Sequence, residues 1–548
     1  MAENIPPLQY QKLDDKWYFV DWLRRIRNAI LLRFSADVNV KEFGAKGDGT
    51  TDDTRAIQAA LDFASNTTGG SKVYFPPGTY KITSTLSIDT AMMLCGDACA
   101  AILSCNFATG DVLYVDGSTM AGPNGFVMDG LQIQSSVTRT NNYLLNLYAV
   151  NWAHVLNCRF LSGYYGIGVT GAATNGLRIK NTIILYSVNT AILISGQTST
   201  QGCIDGVIKD VLIGSASSGS QSSNGIYISS AGDLTLDHVS TIWAGNGLNV
   251  TAGNGQVVQS LNVSNSYFDS GTGYGVSIAT SGTGEARLVN IHNSWAASND
   301  LSGIVINAAN NSEVNLFNCN VSNNGSEGLE LANSRNVTVN GGTYAGNTSD
   351  GISVAANVSE FKIQGANIGA SGAFSGNGGY GVNIASGTSN NYLIKDNYFD
   401  TNTSGAISDG GTGTAKIITE NIGITERYTN SLGADVDLNN TANYFTGPTC
   451  AQGTVGTWFA SGSVTLLSTG GATNMFAKLW DGTTVIDSAF ATTSGADNAV
   501  VISLSGYLSA PAGNIRISCR DINGTNGKIK YNSTGESKDS TLSVIKIS

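Results

Sequence analysis

Proline, charge and paired cysteine are all scarce in this chain. Only 7 of its 548 residues are Pro and 13% are charged, against 67 Gly. So little charge argues against a disordered chain, and Gly without Pro suits tight corners between long β ladders. The 8 Cys show no paired C-x-x-C spacing, which argues against a disulfide scaffold or a zinc site and leaves Cys450 and Cys519 as one optional C-terminal pair. No basic cluster follows the first 34 residues and the net charge is −11, so a nucleic-acid groove is not expected and the partner should be neutral, or acidic with local compensation. No apolar run is long enough to span a membrane, and no apolar leader with a small-residue cleavage site opens the chain. The expectation is a protein made in a cytosol, without membrane insertion. No metal or cofactor set is recognisable.

What the chain does have is a repeat between Leu144 and Ala406. Each unit is a short apolar-x-apolar strand ending in an amide or acid, then a small residue, an outward residue and another apolar one, then a polar turn closing on Gly, with a second alternating strand directly after it. Leu261-Asn262-Val263-Ser264-Asn265, Val289-Asn290-Ile291-His292-Asn293 and Val314-Asn315-Leu316-Phe317-Asn318 are the clearest copies. Gly225, Gly247, Gly275, Gly303, Gly328, Gly351 and Gly381 close the turns. Aligned, the copies put Asn157, Asn181, Asp210, His238, Asn265, Asn293, Asn318, Gly341, Gly365 and Asp396 at one corner, about 27 residues apart, within the range of solenoid repeats. The fold class is therefore all-β, a right-handed parallel β-helix whose stacked corner amides are expected to form a hydrogen-bonded ladder.

Residues 14–34 read as a helix, with Phe19, Leu23, Ile26 and Ile30 on one stripe and Trp17, Tyr18 and Trp22 beyond it. Residues 1–36 are too few for a domain and are expected to be a self-associating attachment stub. Asp48-Gly49-Thr50-Thr51-Asp52-Asp53 then leads into a short helix with an N-cap at Thr51 or Asp52 and with Ile57, Ala60 and Leu61 on one face, which covers the open end of the first coil. The segment Phe43-Gly44-Ala45-Lys46-Gly47-Asp48-Gly49 with its helix, followed by Tyr74-Phe75-Pro76-Pro77-Gly78-Thr79-Tyr80, resembles the entrance of the pectate-lyase-like superfamily, found in polysaccharide-active β-helix enzymes and bacteriophage tailspikes. The resemblance implies a β-helix over 37–425, a phage tail or baseplate protein as the partner of residues 1–36, a parallel homotrimer, and a virion location. It further implies depolymerisation of bacterial surface polysaccharide. An endo-glycosidase is favoured, with a polysaccharide lyase or a non-catalytic receptor-binding fibre as alternatives.

Past Ile424 the repeat stops. Residues 426–548 carry longer alternating strands and the hairpin signal Asp481-Gly482, expected to form an antiparallel β-sandwich. In tailspikes that position holds a trimerising or glycan-binding module.

Strand parity selects the candidate site. Ser266 and Phe268, Ser294 and Ala296, Cys319 and Val321 should point inward, so Tyr267 and Asp269, Trp295 and Ala297, Asn320 and Ser322 should point outward. Sliding the preceding coil by one residue adds Thr241 and Trp243 to that face. Trp243, Tyr267 and Trp295 then form a surface on which sugar rings stack; in the competing reading these rings pack on a loop or a neighbouring subunit. Glycoside hydrolysis needs two carboxyls. Asp269, with Asp300 in the turn of the next coil, is the leading pair, and Glu327 and Glu330 at the neighbouring edge are placed to complete a site across a subunit boundary. The superfamily's Gly-His-Gly element is absent and Arg178-Ile179-Lys180 lacks companion motifs, so no catalytic residue is carried over by motif.

Overall fold

The computed structural model describes residues 37–547 apart from 67–71, 121–124, 172–173, 197–202, 216–221, 311, 424–426, 534 and 536–537. The expected helix over 14–34 lies outside the described residues. The chain divides into two compact units at Ile417 and Ile418.

The first unit is a parallel β-solenoid of about 13 turns with ~27 residues per turn. One long sheet of 26 strands holds two strands of most coils, a 13-stranded sheet takes the next strand of each coil, and a short 5-stranded sheet covers five middle coils. The recurring corner falls between the two strands that share the long sheet, or within one continuous strand at Asn181, Asp210 and His238, and all ten aligned residues adopt the left-handed conformation, with φ between 50° and 70°. Only Gly, and to a lesser degree Asn and Asp, visit that region at low cost, which accounts for the residue types. The ladder expected there is only partly made. Asn181 donates to Asn157 at 3.3 Å and Asn318 to Asn293 at 3.1 Å, but Asn265 turns to Asp237 at 2.9 Å. Exposed amides have water as a competing partner, so nothing forces the column into register.

A second ladder, which the repeat did not reveal, is inside. Asn299, Asn324, Asn347, Asn377 and Asn402 pass Nδ2 to Oδ1 along five coils at 3.0, 2.9, 2.9 and 2.8 Å, and the first four are almost fully buried. Their Nδ2 groups also donate to Phe268 O, Ala296 O, Val321 O, Tyr344 O and Ile368 O of the preceding coils. Burial leaves water no part in this turn, so each amide must be satisfied by the next.

The closing glycines are required by close approach rather than by φ. A Cβ on Gly275 would lie 2.6 Å from Gly303 O, and one on Gly328 2.5 Å from Gly351 O. The core is a column of Ile, Val and Leu from each strand, capped at the first coil by the helix Thr54–Ser65, whose Ile57, Ala60 and Leu61 are buried. Its N-cap is Asp53, one residue past the expected position: the Asp53 side chain instead takes Lys46 N and Gly47 N, while Asp52 bonds Thr54 N and Oγ1.

The second unit pairs a six-stranded and a four-stranded antiparallel sheet around Trp458, Leu466, Met475, Leu479, Ile517 and Val544. Trp480 pairs with Val485 across the hairpin at Asp481-Gly482. All eight Cys are free, including Cys450 and Cys519. Each packs against a different strand position, Cys450 opposite Ile515 and Cys519 opposite Phe445, so they do not face each other.

Candidate functional site

On the long sheet the inward and outward assignments hold for the coils at 265 and 293. Ser266, Phe268, Ser294 and Ala296 are buried, and Tyr267 is 48% exposed. Tyr267 registers with Trp295, and Asp269 with Ala297. The preceding coil needs no slide. Ser240 registers with Tyr267 and Ile242 with Asp269, Thr241 is buried, and Trp243 falls in the left-handed corner that follows (φ 56°). Trp243 is therefore not on the face shared by Tyr267, Asp269 and Trp295.

Trp295 is only half exposed because the chain covers it. Phe374 sets its ring edge-on 5.9 Å from Trp295. Phe374 sits in the loop Ala370–Gly376, closed by reciprocal bonds between Ser371 and Phe374. A Cβ at Gly346 would lie 3.6 Å from Ser375 Oγ, so the loop lies back over the earlier coils. The outward positions Ala297, Ser322 and Ala345 are accordingly buried, at 3%, 1% and 0% exposure. For Trp295 the loop-packing reading holds. The loop's origin is an insertion: Asn299, Asn324 and Asn347 lie six residues past Asn293, Asn318 and Gly341, but Asn377 lies twelve past Gly365.

Asp269 accepts from Ser270 Oγ at 3.1 Å, and Asp300 is exposed in the next turn. Among the described residues no hydrogen bond joins these two carboxylates. Glu327 and Glu330, by contrast, converge. Ser302 Oγ lies 3.1 Å from Glu327 Oε2 and 3.1 Å from Glu330 Oε2, and Ser326 Oγ also bonds Glu327. With one hydroxyl between them, Glu327 Oε2 and Glu330 Oε2 are at most about 6 Å apart, closer than the range of an inverting glycosidase. Glu330 points outward from the 13-stranded sheet between Val305 and Ser353. Glu327 stands three residues earlier in the turn, in the column that Tyr274 and Ser302 occupy in the coils before it. Burial pushes the Tyr274 phenol up, and the negative charges of Glu330 and then Glu327 add to that shift, so the ring borders the pair. Sequence reading named both acids but missed Ser302 and Tyr274. Both stand one residue before a closing glycine, Gly303 and Gly275, and that offset would have found them.

Among the described residues no helix is long and apolar enough to cross a membrane. Comparison with known proteins locates this geometry. Residues 37–148 match the family model described as rhamnogalacturonase A/epimerase, pectate lyase-like, and residues 165–344 match that for a right-handed beta helix region. Curated relatives match over short stretches: alginate lyase 7 of Azotobacter vinelandii is 61% identical over 46 residues, 8% of this chain and 5% of that enzyme. A probable glucan endo-1,3-beta-glucosidase of Arthroderma benhamiae is 44% identical over 80 residues, 14% of this chain and 9% of that protein. Three solved structures share the fold at a TM-score of 0.50. The A-module of the A. vinelandii mannuronan C-5 epimerase AlgE6 is 17% identical over 70% of this chain and 99% of that one. Tailspike protein 3 of bacteriophage CBA120 is 15% identical over 72% and 64%. A tailspike mutant of E. coli bacteriophage HK620, in complex with a hexasaccharide, is 11% identical over 90% and 94%. The first unit of this chain is a right-handed parallel β-helix, the fold these structures share, and its residues 37–148 match the pectate-lyase-like model.

Proposed function

We propose that this protein is a tailspike that binds and hydrolyses bacterial surface polysaccharide, as an endo-glycosidase whose carboxyls are Glu327 and Glu330. The observation that carries this reading is their convergence on Ser302 Oγ. In the double displacement such a pair performs, one carboxylate attacks the anomeric carbon as the other carboxyl gives its proton to the departing glycosidic oxygen. Water, deprotonated by the second group, then releases the sugar from the first. Tyr274 lends a ring beside the pair, and a linear glycan would lie along the outward side of the 13-stranded sheet, where Glu330 is partly exposed. The fold shared with a tailspike bound to a hexasaccharide supports the substrate class.

Purified full-length protein incubated with capsule, lipopolysaccharide or exopolysaccharide should yield new reducing ends without the ultraviolet absorbance of an unsaturated uronate. Unsaturated products would make it a lyase; binding without products would make it an adsorption fibre. Light scattering should return a trimer, and a monomer at micromolar concentration would refute the tailspike assembly.

A further inference from the structure

The four-stranded sheet of the second unit has one face in the core and one face of unusual composition. Along its inner face Met475, Ala477, Leu479, Ile515, Ile517 and Cys519 are buried. Its outer face carries cations and aromatic rings in alternation. Lys478 Nζ lies 3.3 Å from the centre of the Trp480 ring and 4.3 Å from that of Tyr444. The Arg516 guanidinium stands 5.0 Å over Trp480, and that of Arg520 is 5.1 Å from Tyr444 and 5.9 Å from Phe476. Phe476 in turn stacks on Phe490, which is 64% exposed.

Three cations stand here without an acid. Among the described residues no carboxylate pairs with Lys478, Arg516 or Arg520, whereas on the other sheet Lys528 pairs with Asp437 and Lys530 with Asp435. The acids near this face are engaged elsewhere: Asp481 takes the backbone N–H groups of Thr483, Thr484 and Ala512, Asp487 those of Ser488 and Ser505, and Asp521 bonds Thr473 Oγ1. Nε of both Arg516 and Arg520 is buried with no hydrogen-bond partner. Burial, then the charges of Arg516 and Arg520, hold the Lys478 ammonium below the usual lysine range. In a chain of net charge −11 three like charges are gathered here; the ring faces attract them, but their mutual repulsion remains and an anionic ligand would relieve it.

We propose that this face binds an acidic polysaccharide, a chain bearing uronic-acid carboxylates, laid along the strand Ile515–Asp521. Arg516 and Arg520 are four residues apart on that strand, roughly 13 Å. Lys478 registers with Ser518 between them on the neighbouring strand, so the three cations form a row rather than one pocket. A guanidinium fork matches a carboxylate in the plane, and the edges of Trp480 and Phe490 offer apolar contact to sugar rings. The choice of a glycan as the occupant rests on the reading of the solenoid as polysaccharide-acting. The site itself is separate from Glu327 and Glu330, and holding an anionic chain there is a binding function beyond cleavage.

The test is affinity electrophoresis of the full chain through gels containing polygalacturonate, dextran sulfate, dextran or duplex DNA, with Kd then measured for polygalacturonate oligomers. Polygalacturonate should retard the wild type, dextran should not, and salt should weaken the retardation. The triple variant Lys478→Gln, Arg516→Gln, Arg520→Gln should weaken binding by about tenfold or more, while cleavage of a neutral glycan by the solenoid stays unchanged. Should that variant fail to fold, as judged by circular dichroism, the milder pair Arg516→Lys and Arg520→Lys keeps charge but loses the planar fork, and should still bind less tightly. No retardation of the wild type, or equal binding by wild type and variants, overturns the site. Dextran sulfate or DNA bound as tightly as polygalacturonate overturns the carboxylate assignment, and a change of oligomeric state in the triple variant makes the face a subunit contact instead. Loss of cleavage with binding intact would refute only the solenoid reading.

Discussion

Replacing Asn347 with Ala should destabilise the solenoid by about 3–5 kcal/mol. Asn347 is 1% exposed and holds four partners: Oδ1 accepts from Asn324 N at 3.2 Å and Asn324 Nδ2 at 2.9 Å, while Nδ2 donates to Asn377 Oδ1 at 2.9 Å and Val321 O at 3.2 Å. Without the side chain, the Asn324 N–H loses its acceptor in a turn closed to water, at a cost of about 1–3 kcal/mol. The other three groups each lose a bond whose net worth is about 0.5–1.5 kcal/mol. Asn324 Nδ2 still reaches Ala296 O and Asn377 Oδ1 still receives Asn347 N, which sets the upper end of the range. The control is Asn318→Gly at the outer corner. There one exposed bond of 3.1 Å is lost and the left-handed backbone is kept, so the change should stay below about 1 kcal/mol. Guanidinium unfolding of both variants, with hydrogen exchange at the amides of Asn324 and Asn347, measures the difference. If Asn347→Ala and Asn318→Gly cost the same, the internal ladder is not what holds the turns together.

Glu327→Gln and Glu330→Gln should each lower the release of reducing ends by about 10²-fold or more without changing the fold, and an Asp269→Asn variant that loses activity instead would move the site to the long sheet. Phe374→Ala should uncover Trp295 and shift its fluorescence to longer wavelength; an unchanged spectrum would mean that the Ala370–Gly376 loop does not shield the ring. Burial, followed by the charges of Arg178 and Lys180, lowers His154 from 6.5 to about 4. The unfolded chain therefore takes up a proton that the folded one refuses as pH falls from 6.5 to 4, and about 3 kcal/mol of stability goes with it. With only three His in the chain, imidazole NMR on carbon-13-labelled protein should show one signal titrating near pH 4, and three signals all titrating above pH 6 would refute this.

The coil period was legible because left-handed corners restrict residue type and closing glycines admit no Cβ, and both constraints recur whatever else the coil does. The inward and outward faces followed from parity. The internal Asn ladder was nearly as regular, six residues past the corner in four of its five coils, but it looked like polar turn composition. Burial, which makes those amides obligatory, is not a local property of the sequence. The cover on Trp295 was beyond parity for a different reason. Phe374 reaches it from several coils away, and the only trace in the sequence is the doubled interval between Gly365 and Asn377.

The carboxylates raise the same question in a form that the columns answer. The position before the closing residue holds an acid in other coils too. Asp350 there accepts from Tyr380 N at 2.6 Å through Oδ1 and from Asn383 Nδ2 at 2.8 Å through Oδ2; Asp111 likewise accepts from Tyr143 N at 3.0 Å and Asn146 Nδ2 at 2.9 Å. Those acids brace one coil to the next, and both oxygens are consumed. Glu327 occupies the same column but turns back to Ser302 and Ser326, away from the following coil, where it meets Glu330. The extra methylene of Glu over Asp permits that turn. A column in which Asp111 and Asp350 each hold a backbone N–H and an Asn amide of the next coil thus holds one acid whose partners are side-chain hydroxyls, which a ligand hydroxyl can replace. That difference in partners, more than the presence of acids near aromatic rings, separates the Glu327 and Glu330 pair from the structural carboxylates of the solenoid.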